Sequence, residues 1–134
     1  MPTMKPDDVL KTIHDKEVQY VDLRFTDMRG RLQHVTFDLS MVDEEFLTEG
    51  TMFDGSSIAG WKAINESDML LRPDCSTAYL DPFYQQTTLF LFCDVLNPDA
   101  GDPYNRDTRG MAKRALTHVQ ASGVGDEIYF GPEA

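Results

Sequence analysis

Cysteine is scarce in this chain. Only Cys75 and Cys93 occur in 134 residues, with no CxxC or other metal-binding spacing. A disulfide-rich scaffold and a cysteine metal site are therefore excluded, and a single disulfide is left open. Histidine is equally thin: His14, His34 and His118 are scattered, so no histidine metal cluster forms from sequence neighbours. No apolar run approaches the ~20 residues that a membrane span needs. The N-terminus runs into charge rather than into an apolar signal region, which implies a cytoplasmic, reduced setting. Basic residues are outnumbered, 12 against 23 acidic ones, for a net charge of -11 and a pI of about 4.5. Such a surface repels phosphate backbones, so nucleic acid and anionic membranes are excluded as partners. P-loop, GxGxxG, HExxH and GxSxG patterns are all missing, as is the acidic spacing of an EF-hand.

What the chain does have is enough apolar mass for a core: 41% hydrophobic against 26% charged residues. Its pattern predicts mixed helix and strand. Asp7 and Asp8 open a helix over about 6–16, with Val9, Leu10 and Ile13 as its apolar stripe. Residues 18–26 alternate, with Val21, Leu23 and Phe25 facing the core and Asp22 and Arg24 facing water. The Asp27–Gly30 turn leads into a second strand over 31–39, completing a hairpin in which His34 is solvent-exposed. Asp43 caps a short helix that Gly50 ends. Further strands follow at 67–72, at 78–80 and at 87–95, the last apolar enough to be buried on both faces.

The segment 97–103 is rich in turn residues and marks a domain boundary, with one domain over 1–101 and another beginning at 102. Beyond it, Asp107 caps a helix to about Ser122 with an apolar face of Met111, Ala112, Ala115, Leu116 and Val119. Arg109, Lys113 and Arg114 read as a solvated basic face. A strand is predicted over 127–130. A new strand so near the last residue would have few partners, which points to a truncated second domain.

The stretch Met52–Trp61 stands apart. It is glycine-rich and polar, yet holds Phe53, Ile58 and the single tryptophan. Asp54, Ser56 and Ser57 place a carboxylate and two hydroxyls within four positions. Local sequence leaves two readings open: an Asp-Gly hairpin turn between strands, and a loop that carries function on a rigid frame.

Phe53-Asp54-Gly55-Ser56-Ser57, followed by Asn65-Glu66-Ser67-Asp68 and Leu70, resembles the N-terminal signature of glutamine synthetase. The flanks agree: residues 21–27 and Arg106-Asp107 through Lys113-Arg114 resemble the bacterial type I enzymes. Tyr129-Phe130-Gly131-Pro132-Glu133 is similar to the family's entry into its catalytic domain. The resemblance runs in order along essentially the whole chain. It implies an α+β fold, with an N-terminal β-grasp domain followed by the first helix and strand of the catalytic domain.

The resemblance also implies an ATP-dependent ligase that joins ammonia to glutamate through a γ-glutamyl phosphate, using two Mg²⁺ or Mn²⁺ ions. It implies a homo-oligomer, commonly a dodecamer, in which this domain closes the neighbouring subunit's site. Carried over residue by residue, Asp54 matches the aspartate that binds ammonium and takes its proton, and Ser57 a serine beside it. Trp61 and Asp68 match loop positions near the site. Glu133 matches a glutamate that ligates one cation. The family's other metal ligands, nucleotide site and glutamate-binding groups match nothing in this chain, so the 134 residues alone are expected to be inactive. Two rival readings are a free-standing β-grasp interaction module and a related ligase that glutamylates another amine.

Overall fold

The computed structural model describes residues 4–61, 68–99 and 101–133. Helix α1 spans Pro6–Asp15, with the two predicted aspartates in its first turn and Val9 fully buried. Leu10 and Ile13 pack beside Val9 against the core. The chain leaves α1 through Glu17, whose φ of 49° lets the Val18 amide bond back to Ile13 at 3.0 Å. The following strand therefore starts two residues later than the alternation suggests. It is β1, Tyr20–Thr26, paired antiparallel with β2, Leu32–Asp38. The turn between them is the predicted one: Gly30 has φ 78°, and the Asp27 carboxylate takes the Arg29 and Arg31 amides at 2.8 and 3.0 Å.

Helix α2, Glu44–Glu49, is capped by Asp43, which accepts from the Phe46 amide at 2.8 Å. Gly50 ends it with φ 89°, and a Cβ there would lie 2.3 Å from the Leu71 carbonyl oxygen. Only glycine lets the chain pass so close to the sheet. Next come β3 (Thr51–Asp54), β4 (Asp68–Pro73), β5 (Tyr79–Leu80) and β6 (Thr88–Leu96). The sheet order is β2-β1-β6-β4-β3, with β5 also on β6. β1 and β6 run parallel and the other pairs antiparallel.

Strand β6 is the spine. Leu89, Leu91, Cys93 and Val95 are fully buried, in one core cluster with Val9 of α1 and Phe46 and Leu47 of α2. Each such aliphatic side chain contributes about 1.5–3 kcal/mol relative to exposure. The other face of β6 is only half-buried, since Phe90, Phe92 and Asp94 keep some contact with water. Both cysteines are free and buried, so no disulfide links them. Burial pushes the Cys93 thiol far above its ordinary value, which keeps it protonated.

Three expectations are corrected. Asp22 does not face water: it is 1% exposed. One oxygen meets His34 Nδ1 and accepts from Thr36 Oγ1, both at 2.8 Å, and the other accepts from Arg24 Nε at 2.7 Å. His34 is exposed as expected, yet it takes part in this network. The basic residues of α3 (Thr108–Ser122) are not simply solvated. Arg109 pairs with Asp74 and Asp94, and Lys113 Nζ with Asp94 at 2.6 Å, so this face ties the helix to the sheet. The strand predicted at 127–130 is irregular backbone with no ladder partner, and Phe130 is 88% exposed. Without a partner edge, its apolar and aromatic residues have nothing to pair with.

The predicted caps of α3 stand, with Asp107 at its start and Gly123 (φ 70°) at its end. Its apolar face, including Met111 and Leu116, is exposed. Among the described residues, no helix is long and apolar enough to cross a membrane.

Candidate functional site

Asp54 is the last residue of β3, directly opposite Asp68, the first residue of β4. The two strands are antiparallel, but thirteen residues separate them, so Asp54-Gly55 is not the turn of a tight hairpin. Gly55 does not take a positive φ, as such a turn would require. Instead, the carboxylate folds over its own chain. Asp54 Oδ1 accepts from the Ser56 amide at 2.9 Å and from Ser56 Oγ at 2.6 Å. A 3₁₀ turn over Gly55–Ser57 follows, closed by the Ile58 amide on the Gly55 carbonyl at 3.1 Å.

The loop is held by its apolar residues. Gly55, Ile58 and Trp61 are buried, whereas Asp54 and Ser57 are exposed. The Trp61 ring lies 5.5 Å from Phe25, 6.2 Å from Phe53 and 5.4 Å from Tyr104, centroid to centroid. These tilted and edge-on geometries suit aromatic pairs. Trp61 Nε1 is buried without an acceptor among the described residues, so packing holds this ring in place. At the far end, Arg106 donates to the carbonyls of Gly60 and Trp61. The result is a carboxylate held outward on a fixed loop.

Cross-strand neighbours share a face, so Asp54 and Asp68 bring two carboxylates to one end of the β3–β4 ladder. Like charges placed opposite one another repel.

The structure separates the sequence candidates. Asp54 and Ser57 share the loop, but the hydroxyl that bonds Asp54 is that of Ser56. The Asx-turn pattern, an aspartate followed two residues on by serine, was the available signal for Ser56. Arg106 and Tyr104 had no local signal, because they reach the loop from more than forty residues away. Glu133 lies on the exposed segment after α3 and makes no hydrogen bond or ion pair among the described residues. Among those residues, no three His, Cys, Asp or Glu side chains stand together to hold a metal ion. The signature residues 65–67 lie outside the described residues.

The family described as "Glutamine synthetase, beta-Grasp domain" matches residues 17–98, more than half the chain. The chain belongs to the glutamine synthetase family. It is 65% identical over 127 residues to the glutamine synthetase of Bradyrhizobium diazoefficiens, covering 95% of this chain and 27% of that protein. Against the glutamine synthetase of Salmonella typhimurium it is 52% identical over 130 residues, covering 97% and 28%. This glutamine synthetase segment therefore spans about a quarter of the length of the curated relatives it matches. A cryo-EM structure of Plasmodium falciparum glutamine synthetase superposes with a TM-score of 0.78 at 26% identity, over 90% of this chain and 23% of that one. A GmaS–ADP complex shares the fold, with a TM-score of 0.75 at 19% identity, over 86% and 26%. The α+β architecture with a β-grasp domain stands as expected, and the family match argues against a free-standing interaction module.

Proposed function

We propose that this chain supplies the β-grasp part of an ATP-dependent glutamate–ammonia ligase, and that Asp54 binds and deprotonates ammonium. The observation that carries this is the outward-held Asp54 carboxylate, opposite Asp68 on a loop anchored by buried aromatics. In the reaction, the glutamate side-chain carboxylate attacks the γ-phosphoryl group of ATP. This gives γ-glutamyl phosphate and releases ADP. Ammonia then attacks the acyl carbon and phosphate leaves. Ammonium must lose a proton before its nitrogen lone pair can attack. An ionised carboxylate attracts the cation and accepts that proton, the usual task of a general base. Ser56 fixes the orientation of the carboxylate, and Ser57, exposed beside it, faces the same solvent. Two Mg²⁺ or Mn²⁺ ions would shield the phosphate charges, and Glu133 would give one of them an oxygen ligand.

The loop presents Asp54 away from its own core, which supports a role in a neighbouring subunit's site within a homo-oligomer, taken here as a dodecamer. The same reading places the enzyme in the cytoplasm, in ammonium assimilation. The 134 residues alone are expected to form no glutamine, and measured glutamine synthesis by them would refute that. The direct test is Asp54→Ala in the full-length enzyme. The expected loss in kcat/KM for ammonium is about 100-fold or more, the scale of general-base catalysis. The KM for ATP should stay within about twofold, as for an interaction made only with the other substrate. Unchanged ammonium kinetics would sink the assignment.

A further inference from the structure

Arg106 sits in the short run between β6 and α3, and that run is firmly fixed. Pro103 bridges to Leu96, and the Tyr104 amide bonds the Val95 carbonyl at 2.9 Å. Tyr104 is buried. The Asp107 amide bonds the Tyr104 carbonyl at 3.1 Å, and its buried carboxylate caps α3 through the Gly110 amide at 2.9 Å. Arg106 is thus held between two anchored neighbours, and its guanidinium points back across the fold. Nη1 donates to the carbonyl oxygens of Gly60 and Trp61, the latter at 3.3 Å. Gly60 has φ 86°, a conformation that L side chains rarely adopt, and it turns the chain where the two carbonyls meet the cation.

The loop needs such a contact. Among the described residues, the Asp54 carboxylate holds only the start of the loop through Ser56, and beyond it the backbone closes two single turns, Ile58 to Gly55 and Trp61 to Ile58, both at 3.1 Å. Isolated 3₁₀ turns are weak on their own. Packing fixes where the Trp61 ring lies, but a ring in an aromatic cluster leaves the peptide carbonyls free to rotate. A charge-assisted donor shared by two successive carbonyls removes that freedom.

We infer that Arg106 is a positioning residue, which clamps the main chain of the Asp54 loop and so sets how the Asp54 carboxylate is presented. Its effect on catalysis rests on the ammonium role proposed above for Asp54. The clamp itself does not.

The test uses Arg106→Met and Arg106→Lys in the full-length enzyme, with amide hydrogen exchange and steady-state kinetics on the same preparations. In the Met variant, the Ile58 and Trp61 amides should exchange about fivefold faster, since one exposed charged hydrogen bond is worth roughly 1 kcal/mol. The kcat/KM for ammonium should fall about fivefold, the same free energy read at the transition state, while the KM values for ATP and glutamate stay put. The Arg106→Lys variant keeps a cationic donor and should recover most of both effects. Should the Met variant not fold, Arg106→Gln is measured in its place and read in the same way. Exchange at Ile58 and Trp61 equal to wild type would overturn the inference. Faster exchange with unmoved ammonium kinetics would overturn the positioning role of Arg106, whereas the ammonium reading of Asp54 falls only if Asp54→Ala, measured alongside, leaves those kinetics unchanged.

Discussion

Two aspartates in this fold make the same local structure and meet different surroundings. Asp54 and Asp74 each accept the amide and hydroxyl of the serine two residues on. The distances are 2.9 and 2.6 Å for Ser56, and 3.0 and 2.6 Å for Ser76. Each opens a three-residue 3₁₀ turn. Asp74, however, has only 27% of its side chain exposed, and its second oxygen pairs with Arg109 of α3. Asp54 is exposed and shares the end of its ladder with Asp68. One turn fastens a helix to the sheet, while the other presents a carboxylate to the outside. The tripeptide pattern does not decide between these roles. Burial and the elements packed nearby do, and at Asp74 that element is α3 with Arg109.

Burial should therefore rank such aspartates by their worth to stability, and in the reverse order by their worth to activity. The largest stability effect is expected at Asp22, which is more buried than either turn aspartate. Asp22→Ala leaves the Arg24 guanidinium half-paired, and Thr36 and His34 without their acceptor. The expected loss is about 3–5 kcal/mol, the usual scale for breaking a buried ion pair. Urea unfolding measures it, and a loss under about 1 kcal/mol would break the ranking.

Asp74→Asn comes next, at about 1–2 kcal/mol, because its ion pair is part-buried and one hydrogen bond survives. Its pH dependence is a sharper test. Burial works against the Asp74 charge, but the Ser76 hydroxyl and the Arg109 guanidinium outweigh it and hold the carboxyl below the usual carboxylate range. With the folded pKa the lower one, this contribution is complete above about pH 4 and is lost as the pH falls through the folded value. The gap in stability between wild type and Asp74→Asn should close over that acid range. A gap that stays constant down to about pH 2 would mean that the ion pair contributes nothing. Ser56→Ala should cost the least, about 0.5–1 kcal/mol for one exposed capping bond. Ser76→Ala should match it, since the local geometry is the same, and a large difference between the two would show that the turns are not equivalent.

Features set by nearest neighbours were legible in the sequence. Asp43 and Asp107 as helix caps, Gly30, Gly50 and Gly123 as turn or cap glycines, and the alternation of β1 all act over a few residues. Features set by distant partners were not. Asp22 looked solvated because its acceptor role depends on β2 lying alongside. Arg109 and Lys113 looked solvated because Asp74 and Asp94 are far off in sequence. Residues 127–130 have strand composition, yet composition alone provides no pairing edge. At the site, the family signature singled out Asp54 and the Asx-turn pattern could have pointed to Ser56, while the arginine that holds the loop emerged only from the fold.

On the ammonium role proposed above, Asp54 is placed for chemistry, whereas its pair with Arg109 places Asp74 for cohesion. Asp54→Asn and Asp74→Asn, made side by side in the full-length enzyme, test it most directly through ammonium kinetics and urea midpoints on the same samples. A crossed result is expected. Asp54→Asn should lose about 100-fold or more in kcat/KM for ammonium with its midpoint nearly unmoved, and Asp74→Asn should shift its midpoint with near-normal kinetics. Two variants that shift the midpoint equally, with ammonium kinetics intact in both, would contradict it.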